Sequence, residues 1–138
     1  MKVLFDTNVV LDVLLRREPF YRDAAKLFVH VELQHVQGYL GATTVTTLAY
    51  FLEKTLRAAF RTELRRLLEL FDVATIDKYV LSQAQRSSVK DFEDAVLAEA
   101  AFAFGLDAIV TRNVKDFENA SLQVFTPQEL LAILDARR

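Results

Sequence analysis

The sequence predicts an α/β domain built on a parallel β-sheet with helices over both faces, and three observations predict it. Short apolar runs occur without polar alternation, Val3-Leu4-Phe5 and Ala108-Ile109-Val110 being the clearest, which is how strands buried on both faces read. Between such runs lie longer segments whose apolar residues return at the helical period. The two patterns alternate along the chain, as right-handed βαβ crossovers require. With 138 residues, 52% of them hydrophobic, the chain is long enough for one core and too short for two, so residues 1–138 form a single domain.

In order, Val3-Leu4-Phe5 ends abruptly in Asp6, and Val9, Val10, Val13 and Leu14 follow at helical spacing with Asn8 as a natural N-cap. Pro19 breaks this pattern. Phe20, Ala24, Leu27, Phe28 and Val31 mark a second amphipathic helix that ends near Gly38, and Tyr39-Leu40 is a minimal strand. Thr43 to Lys54 is helical through Val45, Leu48, Ala49 and Leu52, with Thr43 or Thr44 as the cap. Another helix spans Leu56 to Leu70, with Phe60, Leu64, Leu67 and Leu68 inward, before a strand at Phe71 to Thr75. A helix from Asp77 to about Arg86 leads into polar Ser87-Ser88, which is too short to link domains. Asp91 opens a helix with Ala95, Val96, Ala98, Ala101 and Phe102 apolar, and Gly105 terminates it. After Ala108-Ile109-Val110, Leu122 to Phe125 is the last strand. Thr126-Pro127-Gln128-Glu129 then sets Thr at N-cap, Pro at N1 and Glu at N3 of a closing helix through Leu130, Leu131 and Leu134.

Composition narrows the chemistry. Without cysteine there is neither a disulfide framework nor a thiolate metal site, and a reducing compartment such as the cytoplasm is the simpler expectation. No signal-peptide pattern precedes the first strand, and no apolar run approaches the ~20 residues that a membrane-spanning helix needs. A soluble, unexported protein is expected. The net charge of −2 gives no global attraction toward nucleic acid, so any RNA contact must be local. Arg16, Arg17, Arg22 and Lys26 form one basic region, and Arg57, Arg61, Arg65 and Arg66 another, although solvated helix faces paired with Glu63 and Glu69 account for them equally well.

Acidic residues fall where such folds place their chemistry. Asp6, Asp91, Asp94 and Asp116 all sit at the carboxyl end of a predicted strand or the start of a predicted helix. The first strand of a doubly wound sheet is normally central and the strand at Ala108 to Val110 can lie beside it, so loops from both halves of the chain can converge. Clustered carboxylates without His or Cys suit hard, oxygen-preferring cations, Mg²⁺ or Mn²⁺, and point to metal-dependent phosphodiester hydrolysis. Local explanations compete: Asp6 and Asp91 as N-caps, Asp94 complementing a positive helix end, Asp116 as a turn residue. Phosphotransfer and small-ligand binding also use parallel sheets with acidic loops.

Three segments carry a resemblance that separates these alternatives: Phe5-Asp6-Thr7-Asn8 with Asp12, Asp91-Phe92-Glu93-Asp94-Ala95, and Ile109-Val110-Thr111-Arg112-Asn113-Val114-Lys115-Asp116-Phe117. Over essentially its whole length the chain is similar to the PIN-domain family, the third segment being especially specific. The resemblance implies an α/β/α sandwich with a five-stranded parallel sheet and a Mg²⁺- or Mn²⁺-dependent ribonuclease site. Small single-domain members of this type are most often VapC-like toxins of type II toxin–antitoxin systems, which implies an RNA substrate and an antitoxin protein partner. Carried over by position, Asp6, Asp94 and Asp116 match the metal-binding acids, Asn113 the polar partner of Asp116, and Asp91 a more variable acidic position. Thr7, Asn8, Thr111 and Asn113 would orient water or ligands. One departure stands out: the acid expected in the helix after the second strand matches Thr47, which carries no charge.

Two other classes remain open at this point. A PIN-like RNA- or protein-binding module with lost or weak catalysis would follow from the Thr47 departure. A receiver-like phosphotransfer domain would need an isolated acceptor Asp after a central strand, and no convincing acceptor is present. Eleven Phe and four Tyr give more large apolar surface than a small core readily hides, with Phe20, Tyr21, Phe28, Tyr50, Phe51 and Phe60 in the early helices. Self-association, as a homodimer, and a helical peptide partner are therefore expected.

Overall fold

β1, Lys2–Phe5, lies at the centre of the sheet in the computed structural model, which describes residues 1–137. The elements that follow are α1 (Thr7–Leu14), α2 (Tyr21–Glu32), β2 (Gln37–Gly41), α3 (Ala42–Leu56), α4 (Phe60–Leu70), β3 (Asp72–Ala74) and α5 (Lys78–Gln85). The second half contributes α6 (Phe92–Ala103), β4 (Ala108–Val110), a 3₁₀ turn at Val114–Phe117, β5 (Gln123–Phe125) and α7 (Pro127–Ala136). Among the described residues the five strands are all parallel, in the order β3-β2-β1-β4-β5. The chain builds outward from β1 through β2 and β3, then returns to its other side with β4, so a topological switch point falls between β1 and β2 on one hand and β4 on the other.

Strand alternation sends Val3 and Phe5 into one core and Leu4 into the other. The first core joins the sheet to α1, α2, α3, α4 and α7 through Val9, Leu27, Leu48, Leu67 and Leu130. Its centre is aromatic: Phe5 meets Phe71 edge to face at 5.0 Å between centroids, and Phe28 meets Phe71 at 5.1 Å. The second core sets α5 and α6 against Leu4, Tyr39 and Ile109. No helix among the described residues is long and apolar enough to cross a membrane.

Several local expectations are corrected. Asp6, not Asn8, is the N-cap of α1, because the helix begins at Thr7, directly after the strand. Gly41 caps α3 without a side-chain bond, and Thr44 turns its hydroxyl to Thr7 instead. Arg57 adopts a left-handed conformation, φ 51°, which ends α3 and separates it from α4 by a 3₁₀ turn, so the helix expected from Leu56 to Leu70 is divided. Leu68 and Phe102 are exposed, at 44% and 56%. In α6 Ala95, Val96, Leu97, Ala98, Ala100 and Ala101 are buried, and Phe102 faces outward. Gly105 ends α6 region with φ 74°, as expected, whereas Gly38 does not terminate α2. Gln34 takes the left-handed position there, and Gly38 belongs to β2.

Gly38 is required by close approach. A Cβ built on it would stand 2.6 Å from the Phe71 ring, at the centre of the aromatic cluster. Gly38→Ala is therefore expected to cost about 1–3 kcal/mol, the usual range for an overpacked core, read as a lower urea midpoint at unchanged slope.

Candidate metal-binding active site

The sheet ends in a row of turns at the carboxyl edges of β1, β2 and β4, and the acidic residues gather there. Asp6 extends the β1–β4 ladder by one rung, its amide donating to the carbonyl of Val110 at 3.0 Å. The backbone then turns into α1, and the carboxylate is held from two sides. Oδ1 accepts the Thr7 amide at 2.8 Å, and Oδ2 accepts the Thr111 hydroxyl at 2.7 Å, across 105 residues of sequence. Thr111 is fully buried, and its hydroxyl oxygen also accepts the Asn113 amide at 3.0 Å. Both carboxylate oxygens are thus held, and Asp6 is buried to 8% exposure at the floor of the cleft.

α6 supplies the opposite wall. Asp91 caps the helix through the Asp94 amide at 3.0 Å, which places Glu93 and Asp94 in the first turn. Asp116 is carried by the 3₁₀ turn after β4, anchored by buried Phe117. α3 closes the third side with Thr43, Thr44 and Thr47, and Thr44 and Thr7 share a hydroxyl contact at 2.9 Å. The resulting cleft, about 310 Å³, is lined by Asp6, Thr7, Asn8, Thr47, Glu93, Asp94, Asn113 and Asp116, among others.

Of the residues singled out from sequence, Asp6, Asp94, Asp116, Thr7, Asn8, Thr47 and Asn113 are thus brought to one cleft. Thr111 lies beneath it, behind Asp6. Asp91 stands outside, on a neighbouring hollow that shares Asp94 and Asp116. The sequence offers Thr44 only as a helix cap and not as a site residue, because its burial and contact with Thr7 depend on how α3 docks. It also gave no role to Asp12, wholly buried and bonded to Arg17 and Arg112. A lone acid on the apolar stripe of α1 was the available signal.

The electrostatics follow from this crowding. Burial pushes the Asp6 carboxyl above its ordinary range, against the opposing effect of its bonds to Thr111 and Thr7, with Asp116 and Glu93 raising it further. Asp94 is pushed up to about 7, by burial first and then by repulsion from Asp6, Asp91, Asp116 and Glu93. Such a cleft resists its own negative charge and favours a cation. The donor set is all oxygen, which fits Mg²⁺ or Mn²⁺ in kind. It is not a closed cage, since among the described residues no three Asp, Glu, His or Cys side chains stand close enough to hold one ion. An ion bound through one or two carboxylates and retained waters suits this arrangement.

A family model described as PIN domain matches residues 2–115, ending one residue before Asp116. No curated protein sequence matches the chain. Among solved structures, a toxin–antitoxin complex from Klebsiella pneumoniae is similar at 25% identity and a TM-score of 0.69, over 91% of this chain and 97% of that one. FitAcB from Neisseria gonorrhoeae is similar at 24% identity and a TM-score of 0.68, over 91% and 98%. FitAB bound to an IR36 DNA fragment reaches a TM-score of 0.71 at 22% identity, over 91% and 94%.

Proposed function

Since this chain belongs to the PIN-domain family, we propose that it is a Mg²⁺- or Mn²⁺-dependent endoribonuclease and the toxin of a toxin–antitoxin pair. The observation that most supports this reading is the cleft in which Asp6, Glu93, Asp94 and Asp116, from three separate elements, concentrate negative charge around one opening. Asp6, Asp94 and Asp116 are the residues that would hold the cation, one or two of them directly and the rest through retained waters; such an ion would acidify the attacking water and offset charge on the phosphate. Water adds to phosphorus, and the bond to the leaving ribose oxygen breaks. Thr111 fixes the Asp6 carboxylate through its hydroxyl, and Thr7, Asn8 and Asn113 present the polar groups that orient water and substrate. Asp91 supports the site through the cap of α6.

The partners proposed are an RNA strand, an antitoxin protein encoded nearby and a second copy of this chain, acting in the cytoplasm. The toxin–antitoxin complex among the similar structures supports the second. Exposed Tyr50 and Phe51 supply apolar surface for association. The second reading, a PIN-like binding module without catalysis, is favoured by one observation: Thr47 lines the cleft where an acid is expected.

Mn²⁺ titration on a short single-stranded RNA separates the readings. Cleavage that requires the ion and stops in EDTA supports the nuclease; neither cleavage nor Mn²⁺ binding moves the conclusion to the module. Thr47→Glu adds a carboxylate one helical turn from Thr43 and Thr44, and is expected to tighten Mn²⁺ binding about tenfold, measured by calorimetry, as ligand charge sets affinity at such sites.

A further inference from the structure

Beside its carboxylates the same cleft carries fixed positive charge. Oδ1 of the wholly buried Asp12 accepts Nε of Arg17 at 2.9 Å, and Oδ2 accepts Nε of Arg112 at 2.6 Å, with Arg112 Nη2 at 3.4 Å from Oδ1. Arg17 Nη2 continues to the Asn8 carbonyl at 3.2 Å. One arginine would neutralise the buried carboxylate and staple α1 to the turn after β4. The second is surplus to that purpose and leaves a net positive charge, and Nη1 of each has no protein partner among the described residues. Both arginines line the carboxylate cleft, so their charge is held beside its acidic walls, where a phosphate must pass.

Arg112 also faces a second space. Its guanidinium carbon lies 3.9 Å from the centroid of the Phe20 ring. Arg112 and Asn113 form a wall common to the carboxylate cleft and to an adjoining hollow of about 430 Å³. Phe20, Pro19 and Pro127 give that hollow flat apolar surface, and Asp23 and Gln128 give it hydrogen-bonding groups. An aromatic ring beside an arginine plane is how proteins hold an unstacked base of single-stranded RNA.

We propose that Arg17 and Arg112 bind a phosphate of the RNA strand, and that the adjoining hollow takes the base of the neighbouring nucleotide against Phe20. Asp12 is then a positioning residue that locks both cations. This subsite deepens the ribonuclease reading and rests on it.

The test is fluorescence anisotropy of a short dye-labelled single-stranded RNA, titrated in EDTA at several KCl concentrations, with melting curves for each variant. Arg112→Gln is expected to weaken binding about tenfold and to flatten the slope of log affinity against log salt by about 0.7, the value for one lost phosphate contact on a single strand. Arg112→Lys keeps the slope and loses part of the affinity, because lysine neither forks onto Asp12 nor offers Phe20 a planar group. Phe20→Ala weakens binding about tenfold at unchanged slope, as loss of stacking does. If Arg112→Gln fails to fold, the lysine and Phe20 variants decide. Equal binding by wild type and variants, or no RNA binding by wild type, overturns the subsite. Mn²⁺-dependent cleavage is followed in parallel. Binding that obeys this pattern without cleavage keeps the subsite and removes the nuclease; Asp6-dependent cleavage with binding indifferent to Arg112 and Phe20 does the reverse.

Discussion

Replacing Asp6 with Asn is expected to lower Mn²⁺-dependent RNA cleavage by at least about 100-fold, as loss of a direct metal ligand should, while moving the melting temperature by only a few degrees. The two parts of this outcome have separate causes. Asp6 serves at once as the cap of α1, as the acceptor of the Thr111 hydroxyl and as the proposed innermost ligand. An asparagine keeps the shape and the Oδ1 that meets the Thr7 amide. At the other position its amide can donate to the Thr111 oxygen once the threonine hydroxyl turns away, so the frame survives. Burial already opposes the charge on Asp6, and removing that charge relieves repulsion from Asp116 and Glu93. Single-turnover cleavage, Mn²⁺ calorimetry and a thermal melt on one preparation read all three quantities. Wild-type cleavage by Asp6→Asn would place the nuclease site elsewhere.

The second large effect is on pH. Asp94 titrates at about 7 in the folded chain and near 3.8 as an ordinary Asp in the unfolded one. Between those values the folded state holds a proton that the unfolded state has released, so stability falls as pH rises through the window. The penalty is complete above about pH 7 and absent below the unfolded value. In metal-free buffer at pH 8, Asp94→Asn should therefore melt a few degrees above wild type, and the two curves should merge toward pH 4. Mn²⁺ reverses the order at pH 8, since it stabilises only the protein that binds it. Because the ion must displace the Asp94 proton, wild-type affinity should drop by about tenfold for each unit below pH 7. Calorimetry from pH 8 to 5.5 checks this, and a flat affinity would remove Asp94 from the ligand set.

What the sequence disclosed and what it withheld divide along physical lines. β1 and β4 were legible because a strand covered on both faces has no polar residue to blur it, and the Thr126 capping box was legible because its bonds span three residues. Asp91 and Asp94 were placed by the same local logic. Misread features depend on distant parts of the chain. Thr44 had the composition of a cap, and only the docking of α3 on α1 turns its hydroxyl to Thr7. Gly38 had the look of a helix terminator, and only the Phe71 ring, brought over by β3, shows why no side chain fits there. The bond between Asp12 and Arg112 closes over 100 residues, a distance at which periodicity is silent.

The span of the Asp6 hydrogen bonds has a consequence for how the site comes into being. One oxygen is held by the next residue and the other by Thr111, and the β1 edge that carries Asp6 is completed on that side only by β4. A growing chain therefore has its first carboxylate from the start and no site to put it in. Until β4 has left the ribosome β1 keeps a bare edge, and until Asp116 has followed it the cleft lacks a wall. The cleft is complete only when residues from both halves of the chain have met. The docking of β4 on β1 is the step that brings Thr111 to Asp6 and fixes the floor of the cleft.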